Sequence, residues 1–170
     1  MLLFFLLLLL RSHARLLHPQ VWGEDAVPSF RGSGVFDYVN YGPISLLKPV
    51  NGYLILLPKL ISGLSLLLSF SYYPIISTVL AWLAILVILT LITSNSTQLR
   101  VGPWLGALAL LVPSDPEVFG LPLYTFWWAT LLLFAAVLWK ANSQDLTWRL
   151  PFIIVGGLFR QSLLEWRHCS

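Results

Sequence analysis

Residues 73–93 read YPIISTVLAWLAILVILTLIT, an apolar run without a single charge. A bilayer core about 30 Å thick needs roughly 20 helical residues to cross it, and this stretch supplies them. Its apolar residues are continuous rather than alternating, so it reads as a helix and not as a barrel strand. The surroundings agree with that reading. No charged residue occurs from 60 to 99, and the cluster SFSYYP at 69–74 divides this length into two pieces. Over the whole chain of 170 residues, 58% are apolar and 10% charged, with a mean hydropathy of +0.82. A soluble domain carries about a quarter charged residues. With so few charges the natural solvent is lipid, where backbone groups must pair within helices or closed barrels.

Outward from 73–93 the chain reads as a single membrane domain, 1–170, with about four to five apolar segments. Residues 2–18 open with LLFFLLLLL and form a short first helix, Arg11 and Arg15 meeting an interface. Residues 19–50 are rich in proline and glycine and read as an external loop containing short interfacial helices. Residues 51–70 read as a broken or half-inserted helix, because Pro58 and Lys59 are costly in the middle of a span. The alternative is an ordinary kinked helix. Residues 104–112 form a short transmembrane segment, 123–139 a second clear one with aromatic ends, and 150–164 an incomplete one. The short first and last segments lead us to expect a fragment or a reduced copy of something longer.

Basic residues set orientation. Loop 94–103 holds Arg100, and loop 140–149 holds Lys140 and Arg149, whereas loop 113–122 holds two acids and no base. The first two are therefore expected on the cytoplasmic face and the third outside, together with loop 19–50. Arg31, Lys48 and Lys59 count against that side for the first loop. The formal charge of +3 is dispersed, which argues against a nucleic-acid partner. Cys169 has no internal partner, and the histidines show no ligand spacing. Asn95-Ser96-Thr97 matches a glycosylation triplet but falls on the expected cytoplasmic face. No phosphate-binding glycine loop, nucleophile elbow or zinc-protease motif is present.

Three local features can carry chemistry. Glu24 and Asp25, in Trp22-Gly23-Glu24-Asp25, are adjacent carboxylates that can bind a divalent cation or act as a general base. Their structural reading is a helix cap at Asp25. Asp115 and Glu117, in Ser114-Asp115-Pro116-Glu117, form a second pair, with Asp115 as a cap and Pro116 as the first helical residue in the structural reading. Lys59 can hold a phosphate as a compact charge or pair with an acid, against simple snorkelling.

The order W-G-E-D-A (22–26), N-G-Y-L-I-L-L-P-K-L (51–60), a spanning helix, then P-S-D-P-E-V-F (113–119) and W-W (127–128) resembles the N-terminal part of bacterial polytopic membrane proteins related to the GT-C class of glycosyltransferases. The resemblance implies sugar transfer from a polyprenyl-phosphate donor at the external face of the cytoplasmic membrane. It implies Glu24 or Asp25 as catalytic base, Asp115 or Glu117 beside the donor phosphate or a divalent cation, and Lys59 as a further phosphate contact. Whole members of the class have more helices than this chain, in line with the expectation of a fragment or a reduced copy. The rival expectations are a non-catalytic membrane protein, either a degenerate fragment or an assembly subunit, and a small transporter. The clear helices hold no buried charge, which weakens the last.

Overall fold

The computed structural model describes residues 1–21, 35–49, 54–93, 103–112, 114–115 and 117–137. Among these residues every regular element is helical, as the apolar runs predict. The order is α1 (Leu2–Ser12), α2 (Ala14–Leu17), α3 (Val35–Tyr41), a 3-10 helix (Gly42–Leu47), α4 (Leu56–Leu68), α5 (Tyr73–Ile92), α6 (Pro103–Leu111), α7 (Glu117–Gly120) and α8 (Thr125–Val137). The expected segment 150–164 lies outside the described residues.

Helix α5 is the axis of the fold. Its 20 residues give a rod of about 30 Å, and it is the one described helix long and apolar enough to cross a bilayer by length and composition. Pro74 lies in its first turn, where a missing N–H leaves no bond unmade. Its other described neighbours pack around it: α1, α2, α6 and α7 on one side, α4 on another, and α8 against both α4 and α5. Phe4, Leu8, Trp82, Ile85, Ile88, Leu89, Leu110, Phe119 and Trp128 form the shared core.

Pro58 does not break a helix. The helix begins at Leu56, so Pro58 falls in the first turn of α4 and Lys59 follows it there. The costs expected of a mid-span proline and lysine are avoided by where the helix starts. Helix α4 then runs antiparallel to α5, with the Tyr73 hydroxyl 3.2 Å from the Ser62 hydroxyl. Helices α1 and α6 lie side by side and run the same way. Phe4 meets Gly106 close to Thr93, and Arg11 meets the far end of α6 at Val112. Both helices therefore lead away from the Thr93 end of α5.

Polarity is distributed in an unusual sense. Ser12, Ser62, Ser65, Ser77, Thr78 and Thr125 are buried. Several of these hydroxyls donate back to the carbonyl one turn earlier, as Ser65 does to Ile61 at 2.7 Å and Thr78 to Pro74 at 2.8 Å. The exposed faces are apolar instead: Leu6 and Leu10 on α1, Leu64 and Leu68 on α4, Val79, Leu83 and Val87 on α5, Trp104 and Leu108 on α6.

The α1–α6 contact depends on a missing side chain. A Cβ at Gly106 would stand 2.7 Å from Cζ of Phe4, whose ring is buried, and 3.3 Å from Cγ2 of Thr93. Overpacking of this kind costs about 1–3 kcal/mol. Gly106→Ala is therefore expected to lower the unfolding midpoint of the detergent-solubilised chain, while Leu108→Ala on the exposed face of the same helix leaves it nearly unchanged. Circular dichroism at the helical minimum reads both.

Candidate functional site

The second acidic pair is built into a turn rather than left open. One carboxylate oxygen of Asp115 accepts the backbone N–H of Glu117 at 3.0 Å, and its carbonyl accepts the N–H of Val118 at 3.0 Å. This is the side-chain turn that Asp forms readily ahead of a short helix. Glu117 then faces α2, where its carboxylate stands 3.8 Å from the guanidinium of Arg15. Both partners are largely buried.

Arg11 completes this corner, and it does more than reach for an interface. Its Nη2 donates to the carbonyls of Val112 at 3.1 Å and Ser114 at 2.9 Å. The chain leaving α6 carries carbonyls with no helical partner, and a cation satisfies them favourably. The guanidinium also lies over the Phe119 ring, 4.9 Å from its centroid. Phe119 in turn packs on Trp128, whose indole N–H donates to the Val118 carbonyl at 3.1 Å. Two arginines and two carboxylates thus share one corner, fixed to α1, α6, α7 and α8.

Lys59 has a different setting. Its residue is only 4% exposed. Its Nζ donates to the carbonyls of Ser45 and Lys48, each at 2.6 Å, and to Oδ2 of Asp37 at 3.4 Å. An ammonium has three N–H groups, and here each has an acceptor. Lys48 adds a second, more exposed cation 3.7 Å from the other oxygen of Asp37. Lys59 is accordingly a structural hub between α4 and the 3-10 helix.

Glu24 and Asp25 lie outside the described residues. Of the other expected site residues, the structure joins Asp115 to Glu117 through the turn and ties Lys59 to Asp37, Ser45 and Lys48. No group of three or more His, Cys, Asp or Glu side chains is arranged to hold a metal ion among the described residues. Three participants escaped the sequence reading: Arg11 and Arg15 as partners of the acidic turn, and Asp37. A signal for Asp37 existed. It is the one acid between Asp25 and Asp115, and Lys59 is the one base between Lys48 and Arg100. Two isolated opposite charges in an apolar sequence are natural partners.

Comparison with protein-family models, with curated proteins and with solved structures finds no match to this chain.

The turn makes a direct prediction. Removing a capping carboxylate costs about 1 kcal/mol. Asp115→Ala is expected to destabilise the chain by about that amount, and Asp115→Asn, which can still accept from Glu117, by only a few tenths of a kcal/mol. Thermal unfolding with and without magnesium or manganese separates the cap from a metal ligand. A capping role predicts the same difference between variants in both conditions.

Proposed function

We propose that this chain is a lipid-embedded, multi-pass helical module of a membrane protein related to the GT-C glycosyltransferases, situated in a bacterial cytoplasmic membrane. The observation that carries the membrane reading is the inverted polarity of the fold. Hydroxyls and a lysine are buried between helices, while leucine, valine and tryptophan face outward on α1, α4, α5, α6 and α8. Exposed apolar area costs about 25 cal/mol per Å² in water and nothing comparable in acyl chains. Helix α5 is apolar all round, the pattern of a buried or spanning helix. The apolar helices α1, α4, α6 and α8 pack around it, directly or on one another.

The sugar-transfer reading rests on the motifs W-G-E-D-A and P-S-D-P-E-V-F. On this reading Glu24 or Asp25 takes the proton of the acceptor hydroxyl, which attacks the anomeric carbon while the bond to the polyprenyl phosphate breaks. The corner of Arg11, Arg15, Asp115 and Glu117 lies near the donor phosphate. A second reading, a non-catalytic membrane subunit, is favoured by a specific observation. Asp115, Glu117 and Lys59 all have partners within the fold.

Two measurements test these readings. Retention of the chain in membranes through alkaline carbonate washing is expected, and release into the wash would overturn the membrane reading. Proteoliposomes carrying a polyprenyl-phosphate hexose, supplied with an alcohol acceptor, are expected to transfer the hexose to it and release polyprenyl phosphate. A general base contributes on the order of 10²–10⁴ in rate, so replacing the base among Glu24→Gln and Asp25→Asn should reduce release by at least that lower factor. No release by the unaltered chain selects the non-catalytic reading.

A further inference from the structure

The segment from Val35 to Lys48 is inverted in the same sense as the helix pair it touches, and its periodicity shows how. In a 3-10 helix residues three apart lie one above another. Ile44 and Leu47 form one such row, 76% and 73% exposed, and Tyr41, which ends the preceding helix, is 54% exposed. Val39, in the preceding helix, is exposed as well. Gly42, Ser45 and Lys48 form the opposite row. Ser45 is buried, and the carbonyls of Ser45 and Lys48 both receive the ammonium of Lys59. Asp37, one turn before Tyr41, reaches the same ammonium. Gly42, with φ of +56°, supplies the left-handed step between α3 and the 3-10 helix that brings both to one point.

A polar side turned inward and an apolar side turned outward is the reverse of a surface segment in water. We infer that Val35–Lys48 is a lipid-facing foot: its exposed residues Tyr41, Ile44 and Leu47 lie among the acyl chains at the edge of the bilayer, and the Lys59–Asp37 clasp holds its polar side against α4. The inference rests on the membrane reading and deepens it, since a loop of this composition is otherwise expected outside the hydrocarbon. What covers this face is phospholipid. Two observations favour it over a protein partner. The exposed residues belong to elements packed on α4, which itself exposes Leu64, Leu67 and Leu68. The ends of the exposed stretch also carry headgroup chemistry: the ammonium of Lys48 stands 3.8 Å from the centroid of the Tyr41 ring and is partly exposed. Tyrosine and lysine are the residues that settle at the headgroup level while apolar neighbours go deeper. Amphipathic segments of this kind sink about 5–10 Å into the boundary.

The clasp gives the foot its rigidity. The Ser45 carbonyl already accepts the N–H of Lys48 at 3.2 Å, whereas the Lys48 carbonyl lies past the end of the 3-10 helix, where in lipid no water would serve it. The Lys59 ammonium fills that role from a neighbouring helix. Without it two carbonyls and a carboxylate lose their buried donor at once.

Spin labels test both parts in one preparation. In a Cys169→Ser background, labels are placed at Ile44→Cys, Leu47→Cys and Leu83→Cys, the last on the exposed face of α5. The chain is reconstituted into vesicles of phosphatidylcholine and phosphatidylglycerol. Collision with oxygen, which concentrates in acyl chains, is compared with collision with a water-soluble nickel chelate. Oxygen-dominated collision at all three sites is the expected result. Oxygen at 83 with nickel at 44 and 47 overturns the foot and leaves the membrane reading standing. Nickel at 83 overturns the membrane reading itself. Lys59→Met is then expected to shift the label at 44 from an immobilised to a mobile spectrum while 83 keeps its line shape. Asp37→Asn, which retains an acceptor, gives a smaller shift in the same direction and serves if Lys59→Met does not fold. An unchanged spectrum at 44 in the folded variant overturns the clasp.

Discussion

The ammonium of Lys59 is the point on which one half of this structure turns. A lone cation taken out of water costs several kcal/mol, and a carboxylate alone does not always repay it. Here two backbone carbonyls join the carboxylate, so that three donors meet three acceptors. One side chain thereby closes a helix end, neutralises Asp37 and joins α4 to the segment before it. Its place in the helix matters as much as its charge. In the first turn of α4, beside Pro58, Lys59 projects beyond the helix start toward the neighbouring element. A lysine in the middle of the same helix would have only lipid or apolar side chains to meet.

Arg11 solves the same problem on the other side of α5. The carbonyls of Val112 and Ser114, where the chain leaves α6, receive its guanidinium. Both basic residues come from apolar helices, and both close the end of a neighbouring element rather than of their own. The economy of this arrangement follows from the low charge content. With few polar side chains available, each one must satisfy several groups. The hydroxyls follow the same logic within single helices, turning back on the carbonyl of the previous turn where no outside partner is at hand. Inter-helix specificity then falls to close packing, as at Gly106, and to the few polar pairs that bridge helices, such as Tyr73 with Ser62.

The legibility of the sequence followed this division of labour. The run 73–93 was readable because length and hydropathy alone decide it, and α5 spans Tyr73–Ile92. The helical class was readable for the same reason. Pro58 was weighed as a break inside 51–70, and the structure puts it in the first turn of a helix that begins at Leu56. The row Ile44, Leu47 escaped because a search at periods of 3.6 and 2 does not sample a period of three. Asp115 was read with its cap as one alternative, and that is the bond the structure contains. The arginines were the hardest. Their partners lie about a hundred positions away in the chain, and no local pattern announces a contact of that range. Asp37 with Lys59 was the exception among the long contacts, legible by elimination from charge spacing alone.

The bonded state of the acidic turn bears on its chemistry in a definite way. A carboxylate has about four lone-pair sites, and the turn occupies Oδ1 of Asp115 on one of them. Capping and contact with a ligand are therefore compatible for Asp115, which is exposed. Charge balance sets the stronger condition. Arg15 pairs with Glu117, and Arg11 binds the carbonyl before Asp115, so two positive and two negative charges meet at this corner. On the proposed sugar-transfer reading, two further carboxylates, Glu24 and Asp25, set directly against it would repel an anionic donor from these arginines. In a displacement at the anomeric carbon the base stands on the side of the entering hydroxyl, opposite the departing phosphate. The two acidic pairs can therefore serve one reaction only if about a sugar's width separates them, with the arginines on the phosphate side. Sharing a membrane face is necessary for that arrangement, and direct contact between the pairs is incompatible with it.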